Sequence, residues 1–143
     1  MLADGAHVAG SKLYILGGQW DRIFVAAFPA QHPTMAVALV IKIEYSEALD
    51  PHRILVELTL DGQPQGPRAA GDMVTGHPAG QARGAPLYVP LALTFNGLTF
   101  EAPGRYEWVV TVGEQELGRL PIEVVQGIIA GMPQTVAPQS PSI

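Results

Sequence analysis

The side chains that could do chemistry are few, and their spacing suits little of it. The chain has 143 residues with thirteen Asp and Glu, four His and no Cys. The absence of cysteine removes thiol nucleophiles, redox pairs and thiolate metal ligands at once. His32, His52 and His77 each adjoin a proline and so belong to turns, while His7 stands alone on an N-terminal strand. No pair of them has the spacing of a metal site on one strand or one helix. The serines are Ser11, Ser46, Ser140 and Ser142, and none lies in the Gly-x-Ser-x-Gly turn that lifts a nucleophile clear of its neighbours. Glu57, Glu101, Glu107 and Glu123 alternate with apolar residues and fall on outward faces. A general acid/base pair would therefore have to be assembled across strands. The stretch Gly71–Gly84 is glycine-rich like a phosphate loop. It lacks the Gly-Lys-[Ser/Thr] ending, and no helical pattern follows whose N-terminus would hold an anion. The expectation is a chain with no catalytic residues, no metal site and no cofactor, in other words not an enzyme; a hydrolase is the remote alternative.

The elements that would carry these residues are strands. Val37, Leu39, Ile41, Ile43 and Tyr45 share one face of Met35–Tyr45, and Ile54, Val56, Leu58 and Leu60 share one face of Arg53–Asp61. Val89–Phe95, Tyr106–Val112 and Leu120–Val124 repeat the alternation. Period 2 with one apolar face is the mark of half-buried antiparallel strands. Shorter strands are expected at Ala6–Ala9, Lys12–Leu16 and Ile23–Phe28, the first two joined by a Gly10-Ser11 hairpin loop. Asn96-Gly97 signals a further hairpin between Leu91–Phe95 and Leu98–Glu101. Leu117 and Leu120 disagree in parity, and a bulge at Gly118 would restore the register. Ser46–Pro51 has room for one helical turn.

Two segments read as irregular. Gly62–Pro86 is rich in glycine and proline and long for a connection inside a compact domain. The C-terminal stretch 126–143 carries Pro133, Pro138 and Pro141 among small and polar residues, too little apolar surface to order itself. Within it Ile128, Ile129, Met132 and Val136 are the candidates to anchor an extended arm on a partner. The domain division is a sandwich over 1–125 and a tail over 126–143.

The most specific local pattern is Phe100-Glu-Ala-Pro-Gly-Arg-Tyr-Glu-Trp-Val-Val. In immunoglobulin-type sandwiches a corner tyrosine sits two residues before a buried cysteine, and its hydroxyl bonds backbone just upstream. Gly104, Tyr106 and Trp108 match that spacing, with Trp108 at the cysteine position, and form a structural corner. The fold class is therefore all-β: a single Ig-like antiparallel β-sandwich of seven to nine strands with a long Gly/Pro-rich loop and a Pro-rich tail. Its core is expected to include Val8, Leu13 and Ile15 from the N-terminal strands, Val37, Leu39 and Ile41, Val56 and Leu58, Leu91 and Leu93, Tyr106, Trp108 and Val110, and Ile122.

Charge bounds the partners. Charged residues make up 15% of the chain, with a net charge of −5 and lysine only at positions 12 and 42; about 25% is usual. No basic cluster exists to follow a phosphate backbone, so nucleic acid is not an expected partner. The longest apolar run, Met35–Ile41, is far short of the ~20 residues of a membrane span, and Asp4 stands where a signal peptide would carry a basic residue. The chain is expected to be unexported and not bound to a membrane. Its charge-poor surface fits either a small soluble domain whose outer face relies on Gly, Pro, Gln and Thr, or one largely covered by neighbours in an assembly.

Met-Leu-Ala-Asp-x-Ala-x-Val (Met1–Val8), followed by Lys-Leu-Tyr-Ile-Leu-Gly-Gly-x-Trp (Lys12–Trp20), Arg22-Ile-Phe-Val and the Pro-Gly-Arg-Tyr segment, resembles an uncharacterised family of small actinobacterial proteins with relatives in phage genomes. The likeness covers about residues 1–125 and departs at Gly5-Ala6-His7. The resemblance implies only a small Ig-like β-sandwich of unknown role and carries over no catalytic residue. Separately, the expected location is cytoplasmic, or virion if the chain is phage-encoded. The expected role is a non-enzymatic structural or interaction module, an accessory subunit of a larger assembly such as a phage capsid or tail. Its partners would be other proteins or copies of itself. The alternative is a cytosolic Ig-like domain binding a peptide or carbohydrate on an aromatic platform of Trp20, Trp108 or Tyr88.

Overall fold

The computed structural model describes residues 1–127. Nine strands run in the order β1 (Leu2–Ala9), β2 (Lys12–Gly18), β3 (Arg22–Val25), β4 (Ala30–Ile43), β5 (His52–Leu60), β6 (Gln63–Met73), β7 (Leu87–Phe100), β8 (Gly104–Val112) and β9 (Gln115–Gln126). They form a four-stranded sheet, β2-β1-β4-β7, and a five-stranded sheet, β3-β9-β8-β5-β6. The β4–β7 pair lies in one sheet and β9–β8–β5 in the other, the arrangement of strands B–E against G–F–C in an immunoglobulin sandwich. The one-sided strands read from the sequence are what make two layers necessary, since each sheet has an apolar face to cover. A single 3₁₀ turn, Tyr45–Glu47, links β4 to β5, where Ser46–Pro51 has room for it.

Turn chemistry explains most of the connections. Gly10 and Ser11 have φ of 55° and 58°, the doubly positive pattern of a two-residue I′ hairpin, and they join β1 to β2 as expected. Asp61 and Gly62, at 51° and 78°, do the same between β5 and β6. That second hairpin corrects the reading of Gly62–Pro86 as wholly irregular. Gln63–Met73 is a strand paired with β5 from Leu60↔Gln63 to His52↔Met73, and only Val74–Pro86 is without strand. The alternation is invisible in the sequence because β6 is an edge strand of Gly, Pro, Ala and polar residues, nearly all exposed.

Asn96-Gly97 is the opposite case. No hairpin forms there; β7 runs through it, paired with β4 from Ala30↔Phe100 to Ile43↔Leu87. Gly97 has φ +64°, and the buried side chains change parity across it, from Phe95 to Leu98 and Phe100. The left-handed glycine turns the strand over instead of reversing the chain. Two further differences concern the N-terminal third. The strand expected over Ile23–Phe28 is limited to Arg22–Val25, and it pairs with β9 in parallel, so that sheet is mixed. The bulge expected near Gly118 is present: Val110 pairs with Gly118 and Thr111 with Glu116, leaving Leu117 as the extra residue.

The core lies between the sheets, and Trp108, Phe100, Met35, Leu58, Leu98 and Ile122 are its largest fully buried side chains. Val37, Ile41, Val56, Tyr106 and Val110 are buried as expected, while Leu39, Leu91 and Leu93 are half-buried at its rim. Val8 and Ile15 are not in it: they are 41% and 38% exposed, and Leu13 is half-buried. The reason is pairing. β1 meets β4 only through Leu2↔Val37 and Ala3↔Ala36, and beyond Asp4 it pairs with β2 alone. The two make a ribbon whose outer half has no sheet beneath it, so alternation there no longer means burial.

Candidate functional site

The corner assembles as its residue types require. Gly104 opens β8 opposite Val124 of β9, and a Cβ added to it would lie 3.1 Å from Leu60 Cδ1, so the position is tight. Tyr106, 2% exposed, donates its hydroxyl to the Ala102 carbonyl at 2.7 Å. Phe100 meets its ring edge-on, with centroids 4.9 Å apart. The bond ties the β7–β8 connection to the start of β8. We expect Tyr106→Phe to cost about 1–2 kcal/mol, since it removes the one hydrogen bond that a buried ring makes to the connection. A change in denaturant midpoint equivalent to less than ~0.3 kcal/mol would deny the corner its structural role. Two residues on, Trp108 is fully buried and stacks on Phe95 with centroids 4.3 Å apart. Its Nε1 donates to Met35 Sδ at 3.2 Å. Met35 on β4 and Trp108 on β8 thus bridge the sheets where a disulfide would in an antibody domain.

The aromatic platform is not assembled. Trp108 is inside, and Trp20 is half-buried, packed on the core and 5.7 Å from the His32 ring. Tyr88 alone is exposed, at 61%. Iodide should therefore quench only part of the tryptophan emission, and Trp20→Phe should remove the quenchable part. If that variant stays as quenchable as the parent, the placement of Trp108 is wrong.

The histidines are scattered. His7 stacks on Tyr14, His77 stacks on Tyr45, and His52 Nε2 lies 2.8 Å from the Glu47 carbonyl oxygen. Among the described residues no three His, Asp or Glu side chains converge. Five of the thirteen carboxylates are engaged in exposed ion pairs: Arg22–Glu123, Lys42–Glu44, Arg53–Asp72, and Arg119 with Glu116 and Glu107. Proton affinities follow from these contacts. The hydrogen bond to Arg119 lowers Glu116, the one to Glu44 raises Lys42, and burial lowers the N-terminal amine. None of these groups lies in a closed cleft. The glycine-rich stretch is held as structure: Gly76 N–H and the Thr75 hydroxyl both donate to the Ala48 carbonyl, at 2.8 and 3.1 Å.

What the fold does build is an open apolar flank. β1 stops pairing with β4 at its own start, and β3 pairs with β9 only over Glu123–Gln126. Between the unpaired parts of β4 and β9 lie two adjoining hollows of about 200 and 150 Å³ that share Ile41 and Leu117. Leu39, Val110 and Leu120 line the larger one. Val40 and Leu117 at its margin are 57% and 50% exposed. Alternation in the sequence marks Val40 as outward, and the parity break marks Leu117. Nothing local reveals that β1 would leave this flank uncovered. The expected partner-binding residues Ile128, Ile129, Met132 and Val136 lie outside the described residues.

A family model described as a family of unknown function (DUF6941) matches residues 1–125. The chain belongs to this family. Neither the curated proteins nor the solved structures gave a match. The DUF6941 match ends one residue before β9 does. No helix among the described residues is long and apolar enough to cross a membrane.

Proposed function

We propose that this DUF6941 chain is a non-enzymatic structural module, an accessory subunit that joins copies of itself or other proteins into a larger assembly such as a phage particle. The observation that carries the reading is apolar exposure on a charge-poor chain. Leu16, Leu49, Val40 and Tyr88 are 74%, 66%, 57% and 61% exposed, while only 15% of the residues are charged. Apolar side chains left open beside unpaired strand edges are ordinarily covered by a partner. The isolated histidines and the outward ion pairs support a role without bond-making chemistry. The likeness of Met1–Val8 and Lys12–Trp20 to phage-encoded proteins is what suggests a particle, and with it a virion or cytoplasmic location.

The test is the mass of the full chain in solution by multi-angle light scattering across concentration. The reading expects a species heavier than 15.2 kDa that dissociates on dilution. A lone monomer at every concentration that binds a peptide or glycan array through Tyr88 would favour the binding-domain alternative.

A further inference from the structure

We propose that the open flank between β4 and β9 receives the segment Ile128–Met132 of a second copy of this chain, added to β4 as a strand in line with β1. This rests on the assembly reading above and names the surface that assembly would use.

The backbone fixes which groups are open. Met1 and Ala38 exchange two bonds: the terminal amine donates to the Ala38 carbonyl at 2.7 Å, and Ala38 N–H donates to the Met1 carbonyl at 2.9 Å. The N–H and C=O of Ala38 therefore point toward β1. In an antiparallel ladder this direction repeats every second residue, so those of Val40 and Lys42 point the same way. Pro90 agrees: it stands opposite Val40 in β7 and has no N–H to give, as a pair that exchanges no bonds allows. Yet β1 pairs with β4 only through Leu2↔Val37 and Ala3↔Ala36. Among the described residues no strand meets the donors and acceptors of Val40 and Lys42. The β9 side is a poorer acceptor. Glu123 N–H bonds Asp21 toward β3, so by the same parity Pro121 faces the open edge, and it has no N–H. An added strand belongs on β4.

The side chains fit that strand. Leu39, Ile41, Val110, Leu117 and Leu120 line the slot beneath it. The stretch of β4 that has no described strand on its β1 side, Leu39–Ile43, is five residues long, and so is Ile128–Met132. That segment is uncharged and proline-free, and Pro133 would end the pairing where the gap ends. In extended form Ile128, Ala130 and Met132 share one face, which places two large apolar side chains toward the slot.

Reach decides that the donor is another copy. Gly127 N–H is bonded to the Val25 carbonyl at the far end of β9. From there back to Leu120 is seven residues of strand, about 23 Å. Met132 lies five residues past Gly127 and reaches no more than about 18 Å even fully extended. A chain cannot lay Ile128–Met132 in its own slot. Reciprocal exchange between two copies would close a dimer, and one-way donation would propagate a filament.

The experiment uses the full-length chain, with self-association measured by sedimentation velocity over a wide concentration range and folding by thermal melt. Leu117→Asp charges the slot, Ile128→Asp with Ile129→Asp charges the segment, and Val74→Asp charges an exposed residue elsewhere. The first two should each weaken self-association at least tenfold with little change in melting, and Val74→Asp should leave self-association and melting as they are in the parent. Should Leu117→Asp itself unfold, Val40→Lys on the exposed margin takes its place. Because the chain has no cysteine, Leu117→Cys combined with Met132→Cys should give an intermolecular disulfide and no intramolecular one. If the segment variant dissociates while the slot variants assemble normally, the slot is not the acceptor and this inference falls while the assembly reading stands. If the slot variants dissociate and the segment variant does not, the occupant is wrong and the inference falls. A parent chain that is monomeric throughout overturns this inference together with the self-assembly half of the reading above.

Discussion

Trp108→Ala should remove about 3–5 kcal/mol of stability, the cost of truncating a fully buried tryptophan whose surroundings relax only in part. Domains of this size hold about 5–15 kcal/mol in total, so the variant should be largely unfolded on mild heating or in low denaturant. The magnitude follows from where the indole sits. It is 0% exposed, lies on β8 between Leu58 of β5 and Leu120 of β9, and touches Phe95 and Met35 of the opposite sheet. Removal therefore opens a void reaching both layers. Trp108→Phe, which keeps a ring against Phe95, should cost distinctly less. Urea midpoints with unchanged m-values are the measurement. A loss for the alanine variant below about 1 kcal/mol would mean that the sandwich does not close around this residue.

How much of this was legible depended on whether a local rule had one physical meaning at the position concerned. Five alternating segments gave the long strands and the two-layer class, because a half-buried strand can hardly read otherwise. Gly104, Tyr106 and Trp108 gave the corner, since spacing alone puts the hydroxyl over the upstream backbone. Leu117 against Leu120 gave the bulge, because one extra residue brings two apolar residues of opposite parity back into register. The failures share a cause. Asn96-Gly97 supplies a positive φ, and a positive φ serves a hairpin or a parity change equally; pairing with thirteen of the fourteen residues of β4 chose the second. β6 has no apolar face to alternate. Val8, Leu13 and Ile15 alternate correctly but lie on a ribbon that has left the sheet, a fact about β4 and not about them. The open flank escaped the sequence for the same reason: it exists because of where one strand stops pairing with another.

Met35 and Trp108 also bear on how the fold does without cysteine. A disulfide constrains the unfolded chain, with an effect of about 2–4 kcal/mol. Here the sheets are joined by contacts of the folded state only, an indole on a phenyl ring and a weak N–H···S bond. Nothing constrains the unfolded chain, so stability rests on the completeness of the core and is indifferent to redox conditions.

That completeness sets the expectation for deleting Gly127–Ile143. Every described side chain of the core cluster belongs to residues 2–124, and the last described strand ends at Gln126. The one described contact given up is the Gly127 N–H bond to Val25 at 3.0 Å, at an exposed end where a hydrogen bond is worth about 1 kcal/mol or less. For a chain of this length that corresponds to roughly 2–5 °C in Tm. The truncated chain should accordingly melt within about 5 °C of the parent, yet its self-association should be lost, because the deletion removes Ile128–Met132, the segment proposed to enter a neighbour's slot. Differential scanning calorimetry beside sedimentation separates the two effects. Should the truncated chain assemble normally and melt much lower, the tail belongs to its own domain's core, and the role given to Ile128, Ile129, Met132 and Val136 is wrong. A melt that holds while assembly disappears fits only a tail whose apolar residues act on another copy.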